Sequence, residues 1–328
     1  MIGRLFPLSG LALALSALVL PAVTRAGPEE WRGEWPRTDF SRHSVPYDEF
    51  VSGGPPKDGI PAINQPSFVA AADARGPAPH EPVISVAIGG EARAYPLRVM
   101  IWHEIVNDTV GGTPIAVTWC PLCNSSVVFD RRVGGRTLSF GTTGKLRNSD
   151  LVMYDRETES WWQQFGGDCI VGALLGAELK YLSARVESVE RFRTSFPQGR
   201  VLVPPDPEGR DYGSNPYAGY DSADRPFLYR GPLPEGVPAL ARVVSVGEEA
   251  WTLDFVKSQR RLEVGDLVIT WEPGQSSPLD AGQIDAGQDI GNVMVQHRTV
   301  RGLEDAVYDV SFAFAFHAFH PQAPIHVK

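Results

Sequence analysis

The apolar runs of this chain are short, and each is bounded by glycine, proline, asparagine or aspartate. The 328 residues include 33 glycines and 28 prolines, so turn-forming residues occur along the whole sequence. This punctuation favours strands over helices, because a helix needs a longer uninterrupted periodic segment. We therefore predict a mainly β fold with a few short helices.

Local patterns predict the individual elements. The predicted strands are Val83–Ile88, Glu91–Tyr95, Ile115–Trp119, Ser126–Arg131, Arg136–Phe140 and Leu151–Tyr154. The glycine pairs at 89–90 and 134–135 predict two hairpins, since tight hairpin turns need positive φ. Helices are predicted at Ser188–Thr194, where the serine is the N-cap, and at Leu97–His103.

The C-terminal region combines a regular pattern with potential ligands. Aromatic and small residues alternate over Phe312–His320, which predicts a strand with one bulky buried face. His317 and His320 lie in this segment, and His326 follows it. These three histidines are a secondary candidate for metal binding, although histidines in a terminal segment commonly have no ligand role.

The first 26 residues predict an exported protein. Arg4 precedes an apolar stretch at Leu11–Leu20, and a small-residue end follows at Thr24–Ala26. This is the pattern of a secretory signal peptide, so the mature chain is expected to begin near Gly27 and to reach the periplasm or cell envelope. The stretch is short for a membrane span, and an uncleaved N-terminal anchor is the alternative. No integral membrane span is expected after cleavage.

The mature chain is predicted to contain two related β-rich halves. Residues 90–94 followed by 115–121 resemble residues 248–252 followed by 267–273, which is a weak internal repeat; chance similarity is the alternative. The predicted divisions are an N-terminal extension at 27–52, a first half at 53–203, a Pro/Gly/Tyr-rich connection at 204–238 and a second half at 239–328. The aromatic residues of the connection predict a packed loop.

The charge of the chain excludes one class of function. Its formal net charge is −9, which becomes −11 when Arg4 and Arg25 are removed with the signal peptide. An acidic chain without a basic cluster is a poor nucleic-acid binder, because phosphate neutralisation needs grouped lysines and arginines. No glycine pattern matches a P-loop, so no nucleotide cofactor is expected.

Two of the three cysteines form the motif TWCPLCN at residues 118–124. Cys120 and Cys123 can form a disulfide, share a soft metal ion, or act in turn as nucleophile and resolving thiol. The motif resembles the Trp-Cys-x-x-Cys of thioredoxins, but residues 127–131 predict a strand where a thioredoxin has a helix. A thioredoxin fold is therefore disfavoured. Cys169 is either buried and inert or part of the site.

His103 lies upstream of the thiols, and Gly111–Gly112 is expected to turn the chain back so that the imidazole approaches them. Two thiolates with an imidazole suit copper or zinc, whereas the same imidazole can act as a base that raises the thiolate fraction. A histidine hydrogen-bonded at a strand end is the third possibility. Glu104 can orient the ring.

Phe140–Asp150 is rich in glycine and polar residues and predicts a loop between strands. Lys145 and Arg147 in this loop can hold an anionic group of a substrate, or they can be solvated surface charges. The sequence identifies neither a substrate nor a protein partner.

Three functions remain open for Cys120 and Cys123. The leading hypothesis is a site for a soft transition metal, copper or zinc, with His103 as a third ligand. A competing hypothesis is a thiol-disulfide oxidoreductase in which Cys120 attacks and Cys123 resolves. The third is a non-catalytic envelope binding module with a structural disulfide.

Several motifs in order resemble a bacterial family of exported proteins known as domain-of-unknown-function family 3179. The matching motifs are KDGIP at 57–61, AYP at 94–96, HEIVND at 103–108, CPLCN at 120–124 and LRNSDL at 146–151. The resemblance covers about Gly53 to Pro321 and implies that these motifs belong to one architecture. It implies one pocket formed by Lys57, Asp58, His103, Cys120, Cys123, Asn148 and Asp150. The candidate substrate-binding residues are Lys57, Asp58, Asn148 and Asp150 of this pocket, together with Arg147.

Overall fold

A computed structural model describes residues 27–328, and the predicted signal peptide lies outside these residues. The fold is mainly β with short helices, as predicted. Within the described residues, none of the helices has the length and apolar character needed to cross a membrane.

The elements up to residue 203 are sixteen strands and three α-helices. In chain order they are α1 (Pro28–Trp31), β1 (Phe50–Ser52), β2 (Ser67–Ala70), β3 (Pro82–Ile88), β4 (Glu91–Pro96), α2 (Leu97–His103), β5 (Ile105–Val110), β6 (Thr113–Cys120), β7 (Ser125–Asp130), β8 (Arg132–Val133), β9 (Arg136–Thr137), β10 (Phe140–Arg147), β11 (Asp150–Asp155), β12 (Trp161–Gln163), β13 (Cys169–Val171), β14 (Lys180–Leu182), β15 (Arg185–Ser188), α3 (Val189–Ser195) and β16 (Arg200–Val203).

The elements after residue 203 are eight strands and two α-helices. They are β17 (Arg242–Val246), β18 (Glu249–Thr252), α4 (Leu253–Gln259), β19 (Arg261–Val264), β20 (Leu267–Glu272), β21 (Asn292–Thr299), β22 (Gly302–Asp305), β23 (Asp309–Phe312), α5 (Ala313–Phe319) and β24 (Ile325–His326). Single 3-10 turns occur at Tyr47–Glu49, Tyr220–Ser222 and Ile284–Ala286.

Three larger sheets form the first half. Their strand orders are β15-β3-β4-β16-β2, β14-β7-β6-β5 and β1-β10-β11-β12-β13. The second half has two sheets, β23-β17-β18-β24 and β19-β20-β21-β22. A continuous buried core contains side chains of both halves, including Trp119 and Phe314, each with no exposed surface.

The two halves share an order of elements. In each, a hairpin leads into a seven-residue helix and then a three-stranded meander: β3-β4-α2-β5-β6-β7 and β17-β18-α4-β19-β20-β21. A later strand, helix and strand then return to the hairpin. β15 and β23 pair antiparallel with its first strand, while β16 and β24 pair parallel with its second. The sequence repeat predicts this correspondence, and a common origin of the halves stays a prediction.

Two predicted elements were wrong, for physical reasons. Phe312–His320 was predicted as a strand, yet β23 ends at Phe312 and α5 follows. All side chains of residues 313–316 are fully buried, so core packing surrounds this part of the helix and the alternation does not mark a single face. Phe140–Asp150 was predicted as a loop, yet it is β10 and a tight turn; Gly144 lies where the register of β10 shifts.

The predicted strand at Arg136–Phe140 is interrupted. β9 ends at Thr137, and β10 begins only at Phe140. The buried Arg131 side chain donates to the Leu138 carbonyl oxygen at 2.6 Å, while the Leu138 N–H donates to the Arg131 carbonyl. The Leu138 N–H bond extends the β8-β9 register by one pair, whereas the Leu138 carbonyl is bonded to a side chain, so the pairing ends there and one predicted strand becomes parts of two.

Gly144 offers a test of how β10 is held. Its φ is +70°, and a Cβ atom there would overlap the carbonyl oxygen of Pro55. We expect Gly144→Ala to lower the free energy of unfolding by about 3 kcal/mol, since it adds backbone strain and a steric clash. Urea denaturation measures this loss.

The control for this prediction is Gly134→Ala. Gly134 has a φ of +56°, but nothing lies within 4 Å of a Cβ atom there. Only conformational strain remains, at a cost of about 1–2 kcal/mol. Equal losses in the two variants would contradict the contact between β10 and the Pro55 segment.

Candidate metal centre

The thiols lie on the tight connection between β6 and β7. Cys120 is the last residue of β6 and pairs with Ser125, the first residue of β7. Asn124 adopts a positive φ of 51°, and its N–H donates to the Pro121 carbonyl at 3.2 Å. This four-residue loop carries Cys123 back beside Cys120. The strand that follows confirms that no thioredoxin-like helix begins at the pair.

A second hairpin turn meets this loop. Asn148 and Ser149 connect β10 to β11, and their φ values of 55° and 64° are typical of a two-residue type I′ turn. The Ser149 carbonyl oxygen lies 3.7 Å from Cys120 Sγ and 3.5 Å from Cys123 Sγ, and it accepts a weak hydrogen bond from each thiol. Asp150, the first residue of β11, is therefore placed beside both sulfur atoms.

Cys120, Cys123 and Asp150 form a cluster of potential metal ligands. One donor atom from each residue lies within 4.8 Å of the others, and all three residues are buried. Asp150 Oδ2 accepts hydrogen bonds from Gln163 Nε2 at 2.6 Å and from the Phe165 N–H at 2.9 Å. Asp150 Oδ1 is also buried, and among the described residues the two thiols are the polar groups close enough to interact with it. The carboxylate is thus fixed through one oxygen and has the other available.

The three residues of the cluster and the neighbouring Glu104 are buried weak acids. Burial raises the pKa of Asp150 to about 7, and burial with the charge of Asp150 raises the pKa of Glu104 to about 8. Burial also raises the pKa of the Cys120 thiol and holds that of Cys123 well above its usual range. None of the ion pairs among the described residues includes one of these four groups. A bound cation would favour their ionised forms.

His103 is buried, but it is engaged away from the cluster. Its Nδ1 lies 2.7 Å from the Pro61 carbonyl oxygen, and its Nε2 lies 2.8 Å from the Tyr212 hydroxyl. A carbonyl oxygen only accepts, so Nδ1 carries the hydrogen; burial lowers the ring's pKa, and the neutral Nε2 then accepts from Tyr212. His103 was predicted to be the third potential ligand beside the thiols, and in the structure Asp150 lies there instead. A role of His103 as ligand or base stays a prediction.

The structure does not gather the other residues of the predicted pocket around the thiols. Lys57 Nζ pairs with Glu159 at 2.8 Å and lies over the Trp35 ring, and Asp58 pairs with Arg156 at 2.7 Å. Both residues therefore contact the connection between β11 and β12, and Lys57 also contacts Trp35 of the N-terminal extension.

Two further predicted residues act near the cluster without entering it. Arg147 pairs with Glu49 at 2.6 Å and donates to Gln163 Oε1 at 3.3 Å. The same Gln163 amide donates to Asp150, so Arg147 contacts the cluster indirectly. Asn148 provides the turn that places Asp150. Of the five residues predicted to bind substrate, only Asp150 contributes a donor atom to the cluster.

The connection at 204–238 covers the cluster, as its aromatic content predicted. The Tyr220 hydroxyl donates to the Leu122 carbonyl at 3.0 Å, and the Phe227 N–H donates to that hydroxyl at 3.2 Å. Burial raises the pKa of the Tyr217 and Tyr220 phenols, and the nearby thiols add to this. The cluster is thereby separated from bulk water.

The second half fixes the thiol loop from the other side. The Phe312 N–H donates to the Cys123 carbonyl at 2.8 Å, and Asn124 Nδ2 donates to the Val310 carbonyl at 2.7 Å. Asp309 Oδ1 accepts from the Ser126 N–H at 2.9 Å. β23 therefore binds the loop that carries the thiols, and both halves build the site.

Several contributors could not be recognised from the sequence. Gln163 anchors Asp150 from a strand thirteen residues away, and nothing in its local pattern marks this role. Glu104 was identified only as a partner for His103, although the helix end at Glu104, with φ 57°, places it near Asp150. Cys169 lies on β13 with its Sγ 3.6 Å from the Val171 carbonyl oxygen and is not in the cluster.

Comparisons with known proteins identify one family. No curated protein and no solved structure matches the chain. A family model described as "Protein of unknown function (DUF3179)" matches residues 57–323, most of the chain and the whole of the cluster. The chain therefore belongs to the DUF3179 family of proteins of unknown function.

Proposed function

We propose that this chain is an exported metal-binding protein whose ligands are Cys120, Cys123 and Asp150. The observation that carries the proposal is the meeting of three buried donors on two separate hairpin turns, one of them a carboxylate that forms no ion pair with the described residues. Burying an acid without a counter-charge is costly, and metal coordination is one way in which such a charge is satisfied. Export rests on the signal-peptide pattern of the first 26 residues.

The donor set favours zinc over copper. Zinc accepts thiolate sulfur and carboxylate oxygen in the same site, whereas copper(I) selects soft thiolate and thioether ligands. Asp150 adds a hard oxygen donor to the two thiols, which suits zinc. Gln163 and the Phe165 N–H would hold the carboxylate in place, as outer hydrogen bonds do in metal sites.

Zinc titration of the reduced mature chain under anaerobic conditions tests the proposal. We expect one zinc ion per chain and an affinity that falls at least tenfold in the Cys123→Ser variant, which loses one sulfur ligand. Cys169→Ser is the matched control, since it removes a buried thiol outside the cluster and leaves binding unchanged. Absence of zinc binding, or equal affinity in the Cys123→Ser variant, would contradict the proposal.

Thiol-disulfide exchange is the second candidate, because Cys120 and Cys123 Sγ are close enough to donate to the same carbonyl oxygen. Reactive cysteines, however, have lowered thiol pKa values and some solvent access. Burial raises the pKa of both thiols here, and Cys120 is only 2% exposed. A count of free thiols in the protein purified from the envelope separates the candidates: two oxidised cysteines would favour a disulfide, catalytic or structural.

A further inference from the structure

A cavity of about 520 Å³ lies where the two halves meet, beside the metal centre. Its walls come from β7, β14, the turn between β17 and β18, the residues that enter β23, and the end of α5. Phe165 is one of the lining residues, and its backbone N–H donates to Asp150. Cavities of this size at an interface between structural units are typical of small-molecule binding sites.

The walls of the cavity are mainly apolar. Val127, Val128 and Leu182 line it from the paired strands β7 and β14, and Phe165 lines another side. Tyr181 and Val307 also line the cavity, and they are 37% and 43% exposed. Large apolar side chains that remain exposed beside an apolar cavity mark a surface that an apolar ligand would cover.

The charges around the cavity are negative. Asp309 and the exposed Glu248 line it, and none of the described lining residues is lysine or arginine. His320 also lines the cavity, but burial lowers its pKa and favours the neutral ring. Asp309 Oδ1 accepts backbone hydrogen bonds from Ser126 and Val310, and the nearby Ser125 hydroxyl also favours the ionised carboxylate. No ion pair among the described residues neutralises this carboxylate. Low-dielectric walls focus such a field, so the cavity attracts positive charge.

The pKa of Tyr181, which lines the cavity, is consistent with a negative field. The pKa of the Tyr181 hydroxyl is raised, first by burial and then by the charges of Asp168, Asp309 and Asp150. The Tyr181 hydroxyl donates to the Phe165 carbonyl at 3.0 Å, so this side of the cavity presents no cation either.

We propose that this cavity binds a small amphipathic cation, a molecule with an apolar or aromatic body and a protonated amine. The apolar walls bury the body, and the uncompensated charges of Asp309 and Glu248 favour the amine. The inference goes beyond metal binding, since neither thiol lines the cavity.

Calorimetric titration of the reduced mature chain with three matched probes tests the proposal. Phenylbutylamine, phenylbutanol and phenylpentanoate share an apolar body and differ in the charge of the head group. We expect the amine to bind at least tenfold more tightly than the alcohol, and the carboxylate to bind most weakly. Equal affinities for the three probes, or no binding of the amine, would overturn the proposal.

Variants locate the binding. Asp309→Asn keeps a carbonyl oxygen for the two backbone N–H groups and should abolish the preference for the amine while the alcohol still binds. Ala184→Trp fills the cavity from its lining and should remove binding of both probes. Asp266→Asn, which changes an exposed aspartate outside the cavity, is the control and should alter neither affinity. Retained amine binding in the folded Ala184→Trp variant would contradict the assignment, even if the Asp309→Asn variant fails to fold.

Discussion

The Asp150→Asn variant is expected to bind zinc about 100-fold more weakly than the native chain, a loss of about 2.7 kcal/mol. Asn replaces a charged oxygen ligand by a neutral amide of the same shape. Its carbonyl oxygen can still accept from Gln163 and Phe165, so the hairpin turn keeps its place. The measurement is competition with a chromogenic zinc chelator at pH 7.5.

The same substitution is expected to act differently on the metal-free chain. A buried carboxylate without a counter-charge destabilises the folded state, and a neutral amide removes that cost. Metal-free Asp150→Asn should therefore be at least as stable as the native chain at pH 8. Weaker zinc binding with undiminished stability distinguishes a ligand from a residue that only supports the fold.

Asp155→Asn is the matched control, because Asp155 is a second fully buried aspartate on β11. Its oxygens accept from Thr158 and from Trp162 Nε1, and it is not in the cluster. This variant should lose stability but retain zinc affinity in the folded fraction. If both variants lose affinity equally, Asp150 acts through the fold and not as a ligand.

The sequence predicted the thiol part of the site and could not predict its third donor from local pattern. Cys120 and Cys123 are three residues apart, so their proximity follows from the chain itself. Asp150 reaches them only because the turn at Asn148–Ser149 meets the thiol loop in the folded chain, a long-range contact. The family resemblance placed Asp150 in the pocket, whereas reasoning from the chain favoured His103. That ring instead contacts Pro61 and Tyr212.

The helices show the same difference between local signals, which the sequence carries, and long-range packing, which it does not. Leu97–His103 is a helix with the predicted bounds, and Val189–Ser195 follows its predicted serine N-cap, because caps and short periodic segments are local signals. The segment from Ala313 to Phe319 was predicted as a strand and is a helix, since the core packs around its first turn and overrides the alternation. Local signals were sufficient for α2 and α3, and they failed for α5, whose first four residues are all fully buried.

The second half shows that the cluster of potential metal ligands is not a general feature of the fold. Glu104 and Arg260 end α2 and α4 with nearly equal φ values of 57° and 60°. Their carbonyl oxygens accept from the equivalent Trp119 and Trp271 N–H groups at 2.8 and 2.9 Å. In the second half the acid is replaced by Arg260, whose guanidinium lies over the Trp271 ring. Among the described residues, the ligand cluster occurs in the first half alone.

The metal-free chain is expected to lose stability as the pH rises from 5 to 8. Burial holds the pKa of Asp150 at about 7 and that of Glu104 at about 8 in the folded state, against about 4 for either group in an unfolded chain. The folded state therefore binds more protons than the unfolded state in this range, and the free energy of unfolding falls by up to about 1.4 kcal/mol per pH unit for each group. Urea denaturation with a chelator present should show a loss on the order of 5 kcal/mol between pH 5 and pH 7.

The control for this pH dependence is the double variant Glu104→Gln with Asp150→Asn, which keeps the shapes but removes both titrating groups. Its slope should be smaller by about the amount that the two acids contribute, while other titrating groups contribute equally to both proteins. An identical slope in the double variant would show that neither acid is protonated in the folded state.

With saturating zinc the native chain should lose less stability as the pH rises, because the ion favours the ionised ligands and protons compete with it less at high pH. A pH dependence that becomes smaller when the two acids are removed, and that is also reduced by the ion, would indicate that the buried acids and the ion occupy the same site.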